Sequence, residues 1–196
     1  MALTILGLLV VVVLAVTYWG DVRAGRLDRW AQSVVDGAPS GAHDVALALD
    51  ALGEPVGRAV VVLATAALCL VAGRRALAVT ALVASALIGI LTTGLKHVVD
   101  RTIHDGFLSY PSGHTAAIAA LGLVLGLLLA DLVHAGPVAG TMIVLAGTVI
   151  GGALMAWAQI FLTAHYPTDT VGGVGSALLV VPLTGLLIDR FLRDRF

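Results

Sequence analysis

Apolar positions in this chain do not alternate with polar ones; they run together in six long stretches. These are Ala2 to Gly20, Val56 to Gly73, Ala76 to Leu95, Thr115 to Val133, Val138 to Phe161 and Val171 to Ile188. As helices rising about 1.5 Å per residue, stretches of this length cover the roughly 30 Å hydrocarbon layer of a bilayer. Strands are a poor alternative, because lone strands leave backbone groups unpaired in lipid and the alternation of a barrel is missing. The pattern predicts an all-α integral membrane protein, a six-transmembrane-helix bundle forming one membrane domain over residues 1–196. Arg58, near the start of the second stretch, is expected to run its stem along apolar surface and carry its charge to the headgroups. Gly122/Gly126 and Gly147/Gly151 form small-xxx-small pairs that would let two helices approach closely.

Residues 21–55 make the long polar connection, too long for a simple turn. Leu27, Trp30 and Val34, then Val45, Leu49 and Leu52, recur at helical spacing on either side of the breaker run Gly37 to Gly41. Two short amphipathic helices lying at the membrane surface fit this pattern. Tyr18 and Trp19, at the end of the first stretch, are expected at the interface, where amphipathic rings are favoured.

Composition agrees with a lipid solvent: 59% of residues are hydrophobic and only 12% charged, with mean hydropathy +1.04. The 11 basic residues are scattered, so nothing resembles a nucleic-acid-binding stripe, and nucleic acid is not an expected partner. Cys69 is the single cysteine and sits in an apolar run, which excludes an internal disulfide and reads as packing. Met1 to Gly20 has no basic start and ends in TYWG, so it reads as a retained span rather than a cleaved leader.

Six spans would put both ends of the chain on one side, with Arg74, Arg75 and the segment near Asp131 and His134. Basic residues are nearly balanced between the sides, but Arg74, Arg75 and the basic Arg190, Arg193 and Arg195 favour that side as cytoplasmic. The expectation is a cell-membrane protein with its polar site on the extracytoplasmic face.

On that other side the polarity converges at the ends of spans three, four and five. Lys96, His97, Asp100, Arg101, His104, Asp105, His114, His165 and Asp169 all fall there, and ionisable residues at membrane depth are functional candidates. In YPSGHTAA, Pro111 ends any upstream helix, Ser112 is a good N-cap, and Gly113, His114 and Thr115 open span four. A helix start with free N–H groups suits an anion, and Gly113 lets it approach. In HYPTD, Pro167 forbids one helix through His165 and Asp169, yet a tight turn can still bring carboxylate to imidazole and raise the basicity of the far ring nitrogen. Either segment alone is an ordinary capped helix boundary. Two histidines and a carboxylate also suit a metal, but there is no H-E-x-x-H and no cysteine cluster; neither metal nor cofactor is expected. A transbilayer proton relay fits less well, because the polar groups gather at one face.

Lys96, then PSGH at Pro111 to His114, then His165-x3-Asp169 resembles the phosphatidic acid phosphatase type 2 superfamily of membrane lipid phosphatases. The likeness covers spans three to six, and the first third only in layout. It implies a metal-independent hydrolysis of a lipid or isoprenoid phosphate or diphosphate at the bilayer. His165 would attack phosphorus, Asp169 orient it, and His114 protonate the leaving oxygen, through a phosphohistidine. Lys96, Ser112 and Gly113 would hold the phosphoryl oxygens.

Two family positions depart from the pattern. K-x6-R-P counted from Lys96 places Ile103 and His104 where arginine and proline belong, and S-R-x5-H-x3-D counted back from His165 gives Ala158 and Gln159. Both phosphate-clamping arginines are absent, and neither isoleucine nor glutamine replaces the charge and planar fork of a guanidinium. Arg101 and His104 are the candidates to take over part of the clamp, with Gln159 donating a neutral hydrogen bond. The alternative for Arg101 is an ion pair with Asp100 or Asp105. A non-catalytic or altered-specificity lipid-phosphate binder is the second reading.

Overall fold

The computed structural model describes residues 1–37, 39, 41–104 and 106–193. Asp105, Arg195 and two residues of the Gly37–Gly41 break lie outside them. The described residues form eight helices and one small hairpin: α1 (Ala2–Thr17), α2 (Arg26–Val35), α3 (Ala42–Gly53), α4 (Pro55–Val71), α5 (Arg75–Val99), β1 (Thr102–Ile103), β2 (Phe107–Leu108), α6 (Gly113–Leu132), α7 (Pro137–Phe161) and α8 (Pro167–Arg193). Proline stands in the first turn of α4 and α7, where its missing N–H costs nothing.

Four helices, α5, α6, α7 and α8, are long and apolar enough to cross a membrane. Helices α3 and α4 pass that test only together, bent by 70° at Glu54 and Pro55, which gives a fifth at most. At 16 residues α1 reaches only about 24 Å, short of the hydrocarbon thickness. The count of six therefore becomes four to five by length. The first apolar stretch stops early because Tyr18 and Trp19 leave the helix and Gly20 turns the chain at φ +64. The last helix begins at Pro167 rather than 171, since proline is tolerated in a first turn and the polar residues after it stay inside the helix.

Packing follows lipid logic. Large apolar side chains such as Val13, Val60, Leu63, Ile150 and Leu187 face outward, while the buried core is rich in alanine, including Ala81, Ala84, Ala116, Ala119 and Ala177. Helix α6 is central, with more than half of its span buried, whereas most of α7 is not. A Cβ on Gly122 would overlap the Gly147 carbonyl, and one on Gly147 would overlap that of Gly122, so this pair sets the α6–α7 approach.

Two short helices, α2 and α3, occupy the 21–55 segment, and α3 continues into α4 across the bend. Leu27, Trp30 and Val34 of α2 are exposed, and its buried residue is Asp28. The apolar face is thus left for lipid, and the polar face turns inward. Arg58 also departs from its expected course, donating from Nη2 to the Ser85 carbonyl of α5. Arg74 Nε pairs with Asp131, tying the α4–α5 turn to the end of α6 at the end of the bundle away from PSGH and HYPTD.

Candidate active site

The site is assembled where the ends of α5, α6, α7 and α8 meet. Ser112 caps α6: its Oγ accepts the Thr115 N–H at 3.4 Å and donates to Thr115 Oγ1 at 3.1 Å. Its own N–H donates to the Asp169 carbonyl at 3.0 Å, which fastens PSGH directly to HYPTD. Between α7 and α8 the chain turns through Thr163 at φ +54, and the Ala164 and His165 N–H groups return to the Gln159 carbonyl. His165 is only 6% exposed, and its Nδ1 lies 3.7 Å from Asp169 Oδ2, close but without a hydrogen bond. Asp169 Oδ2 accepts the Tyr166 N–H at 3.1 Å.

His114 projects from the first turn of α6 against the α3–α4 bend, where a Cβ on Gly53 would collide with its ring. Its Nε2 is 3.6 Å from both Asp50 Oδ1 and Glu54 Oε1. His114 and His165 are close enough for their charges to oppose one another. Among the described residues, Asp50, Glu54 and His114 are a group whose ligand atoms converge, within 4.8 Å. Lys96, Gly113, His114 and Glu54 line a cavity of about 560 Å³. His165 and His104 instead line a cavity of about 320 Å³ beneath α2, with Arg29 and Asp36.

The remaining expected residues are placed differently from a phosphate clamp. Gln159 is buried and donates to Asp50 Oδ1 at 2.6 Å. His104 is exposed and its Nε2 meets the Thr163 carbonyl at 2.8 Å. Arg101 is 0% exposed. Its Nη1 donates to Asp169 Oδ1 at 2.5 Å and Thr168 Oγ1 at 2.7 Å, and its Nη2 to Asp28 Oδ2 at 2.7 Å. The rings of Tyr18 and Tyr166 cover the guanidinium at 4.0 and 4.4 Å. Arg101 thus pairs with neither Asp100 nor a solvated partner; its acids are Asp28 and Asp169, remote in sequence. Tyr18 is thus half-buried over Arg101, while Trp19 is exposed.

Burial opposes ionisation of Asp28, but the Thr168 N–H and hydroxyl and Arg101 outweigh it and hold the carboxyl below its ordinary value. Burial, helped by the Asp169 charge, pushes the Tyr110 phenol up, so it stays protonated and donates to the Val11 carbonyl at 2.8 Å.

Asp28, Asp50, Glu54 and Tyr18 carry no motif. A signal was nonetheless present: Asp28, Gln32 and Asp36 lie four apart opposite Leu27 and Trp30, and Asp50 and Glu54 lie four apart just before a proline. In a membrane protein such polar faces turn inward.

The fold and site define a class: an integral membrane helical bundle with a histidine–carboxylate cluster at one end. Residues 76–192, more than half of the chain, match the PAP2 superfamily, and the chain belongs to it. Its backbone is similar to the crystal structure of the first transmembrane PAP2 type phosphatidylglycerolphosphate phosphatase from Bacillus subtilis. The TM-score is 0.73 at 18% identity, covering 97% of this chain and 98% of that one. No curated protein sequence matches the chain.

Proposed function

We propose that this protein is a membrane phosphatase that hydrolyses a lipid or isoprenoid phosphate or diphosphate through a phosphohistidine. The observation that carries this reading is the joining of PSGH and HYPTD by the Ser112 N–H to Asp169 carbonyl bond, beside a buried His165 that faces Asp169. His165 attacks phosphorus through Nε2, and the bond from phosphorus to the leaving oxygen breaks. Asp169 holds the ring from the Nδ1 side and stabilises the charge it gains. His114 gives its proton to the leaving oxygen, then takes one from the water that cleaves the phosphorus–nitrogen bond. Lys96 and the Gly113 N–H hold the phosphoryl oxygens, with the buried Ser112 keeping the helix start in place. Arg101, His104 and Gln159 serve this site through Asp169, Thr163 and Asp50. The site faces the extracytoplasmic side of the cell membrane, and the chemistry needs no metal.

Phosphate release from lipid and isoprenoid phosphates in detergent, with chelator present, tests the reading. His165→Ala and His114→Ala are expected to lose roughly 100-fold or more in kcat, the scale of removing a nucleophile or a general acid. Unchanged release in both would sink the mechanism. Loss of native activity on chelation would instead point to Asp50, Glu54 and His114 as cation ligands.

The second reading, a lipid-phosphate binder that does not turn over, is favoured by one arrangement. Where the family pattern has an arginine, neutral Gln159 is bonded to Asp50, and two carboxylates flank His114.

A further inference from the structure

Asp28, Arg101 and Asp169 form the most completely buried charge cluster among the described residues, and the phosphoryl-transfer steps above give Asp28 no part. Asp28 is 1% exposed, and three of the four contacts of its carboxylate run to Thr168 and Arg101. Oδ1 accepts the Thr168 N–H at 2.9 Å and the Thr168 hydroxyl at 2.7 Å. Oδ2 accepts Arg101 Nη2 at 2.7 Å and the Gly25 N–H at 3.0 Å. The other arm of the same guanidinium reaches Asp169, whose second oxygen faces His165. One cation therefore bridges an acid on the surface helix α2 and the acid beside the candidate nucleophile.

We propose that Asp28 and Arg101 are positioning residues that fix the orientation and charge balance of the Asp169–His165 pair. The inference rests on the reading of His165 as nucleophile. A fork with both arms occupied cannot rotate, so Asp169 Oδ1 is pinned and Oδ2 is left toward the imidazole. The two tyrosine rings exclude water from the guanidinium, which keeps its field on Asp169 unscreened. Asp28 in turn offsets part of that positive charge, so the potential at His165 is set by the balance of Asp28 and Arg101. Other charged groups around His165 are His114 on α6, Arg29 and Asp36 on α2, and His104 on the hairpin, while Lys96 on α5 acts on Asp169. None of these is altered by substitution at 28 or 101.

Opposite charges predict opposite shifts. The nucleophile must be unprotonated, so the acid limb of kcat/KM follows the imidazole. Arg101→Gln removes a positive charge, favours the protonated ring and is expected to move the limb up by about one unit or more. Asp28→Asn removes a negative charge of nearly the same shape and moves the limb down. The double variant returns it toward the native position. Histidine NMR titration of the full-length protein in detergent follows His165 itself, assigned by its loss in His165→Ala, and reads the same shifts without turnover.

Shifts of opposite sign in the two single variants support the inference. Limbs and titrations that stay in place, or move together, overturn it, because a merely structural role predicts lost folded protein without a signed shift. Should Arg101→Gln fail to fold, the near-isosteric Asp28→Asn decides by its direction alone. Signed NMR shifts in a protein that releases no phosphate would retain the network while refuting the phosphatase reading, so the two failures are distinct.

Discussion

At the residue scale, the two positions where the family pattern expects arginine have been used differently. Ile103 is buried in the hairpin, and Gln159 holds Asp50. A lone Gln159→Arg substitution would place its guanidinium on the Asp50 carboxylate and be neutralised there, so KM for a lipid phosphate should change little. Adding Asp50→Asn frees the charge. The combined variant is expected to lower KM about tenfold or more, from roughly 1.5 to 3 kcal/mol for a hydrogen bond to a charged group. Steady-state kinetics on the three proteins checks this, and a fall in KM for Gln159→Arg alone would contradict the placement of Asp50. Under the binder reading the native protein is silent and Ile103→Arg with Gln159→Arg and Asp50→Asn gains turnover.

Elements position these residues through short, specific ties. Helix α6 starts at Ser112 because the cap, the preceding proline and the Asp169 carbonyl all act on one residue. Farther along, α6 and α7 touch backbone to backbone at Gly122 and Gly147, which holds the start of α6 and the His165 turn in one frame. Gly122→Val should cost about 1 to 3 kcal/mol through overpacking. It should lower the thermal unfolding midpoint in detergent and weaken activity without shifting its pH dependence. The same change at Gly94, exposed within α5, where an added Cβ meets nothing, is the control and should not destabilise.

On the scale of the whole molecule, the candidate chemistry lies at one end of the bundle and the Arg74–Asp131 pair at the other. The proposed orientation makes the hairpin extracytoplasmic. Phe107, 73% exposed on β2, and Val133, 57% exposed at the end of α6, mark the two sides. In intact cells a membrane-impermeant maleimide should label Phe107→Cys and leave Val133→Cys untouched, and the reverse pattern would invert the topology. The native Cys69 is buried and should contribute no background.

The sequence by itself determined the solvent of the fold, its helical class and the two motifs, because long apolar runs and proline-broken histidine segments are local patterns. Helix starts at Ser112 and near Pro137, and the two short helices of residues 21–55, were legible for the same reason. The placement of Tyr18, Asp28, Asp50 and Glu54 was not, since each meets its partner across a long stretch of chain and is marked by no motif. Arg101 shows the division most sharply. Its charge was visible as a candidate clamp, but only the docking of α2 onto the start of α8 decided that the guanidinium is buried between Asp28 and Asp169. A buried charge must find partners, and which ones it finds is fixed by helix packing.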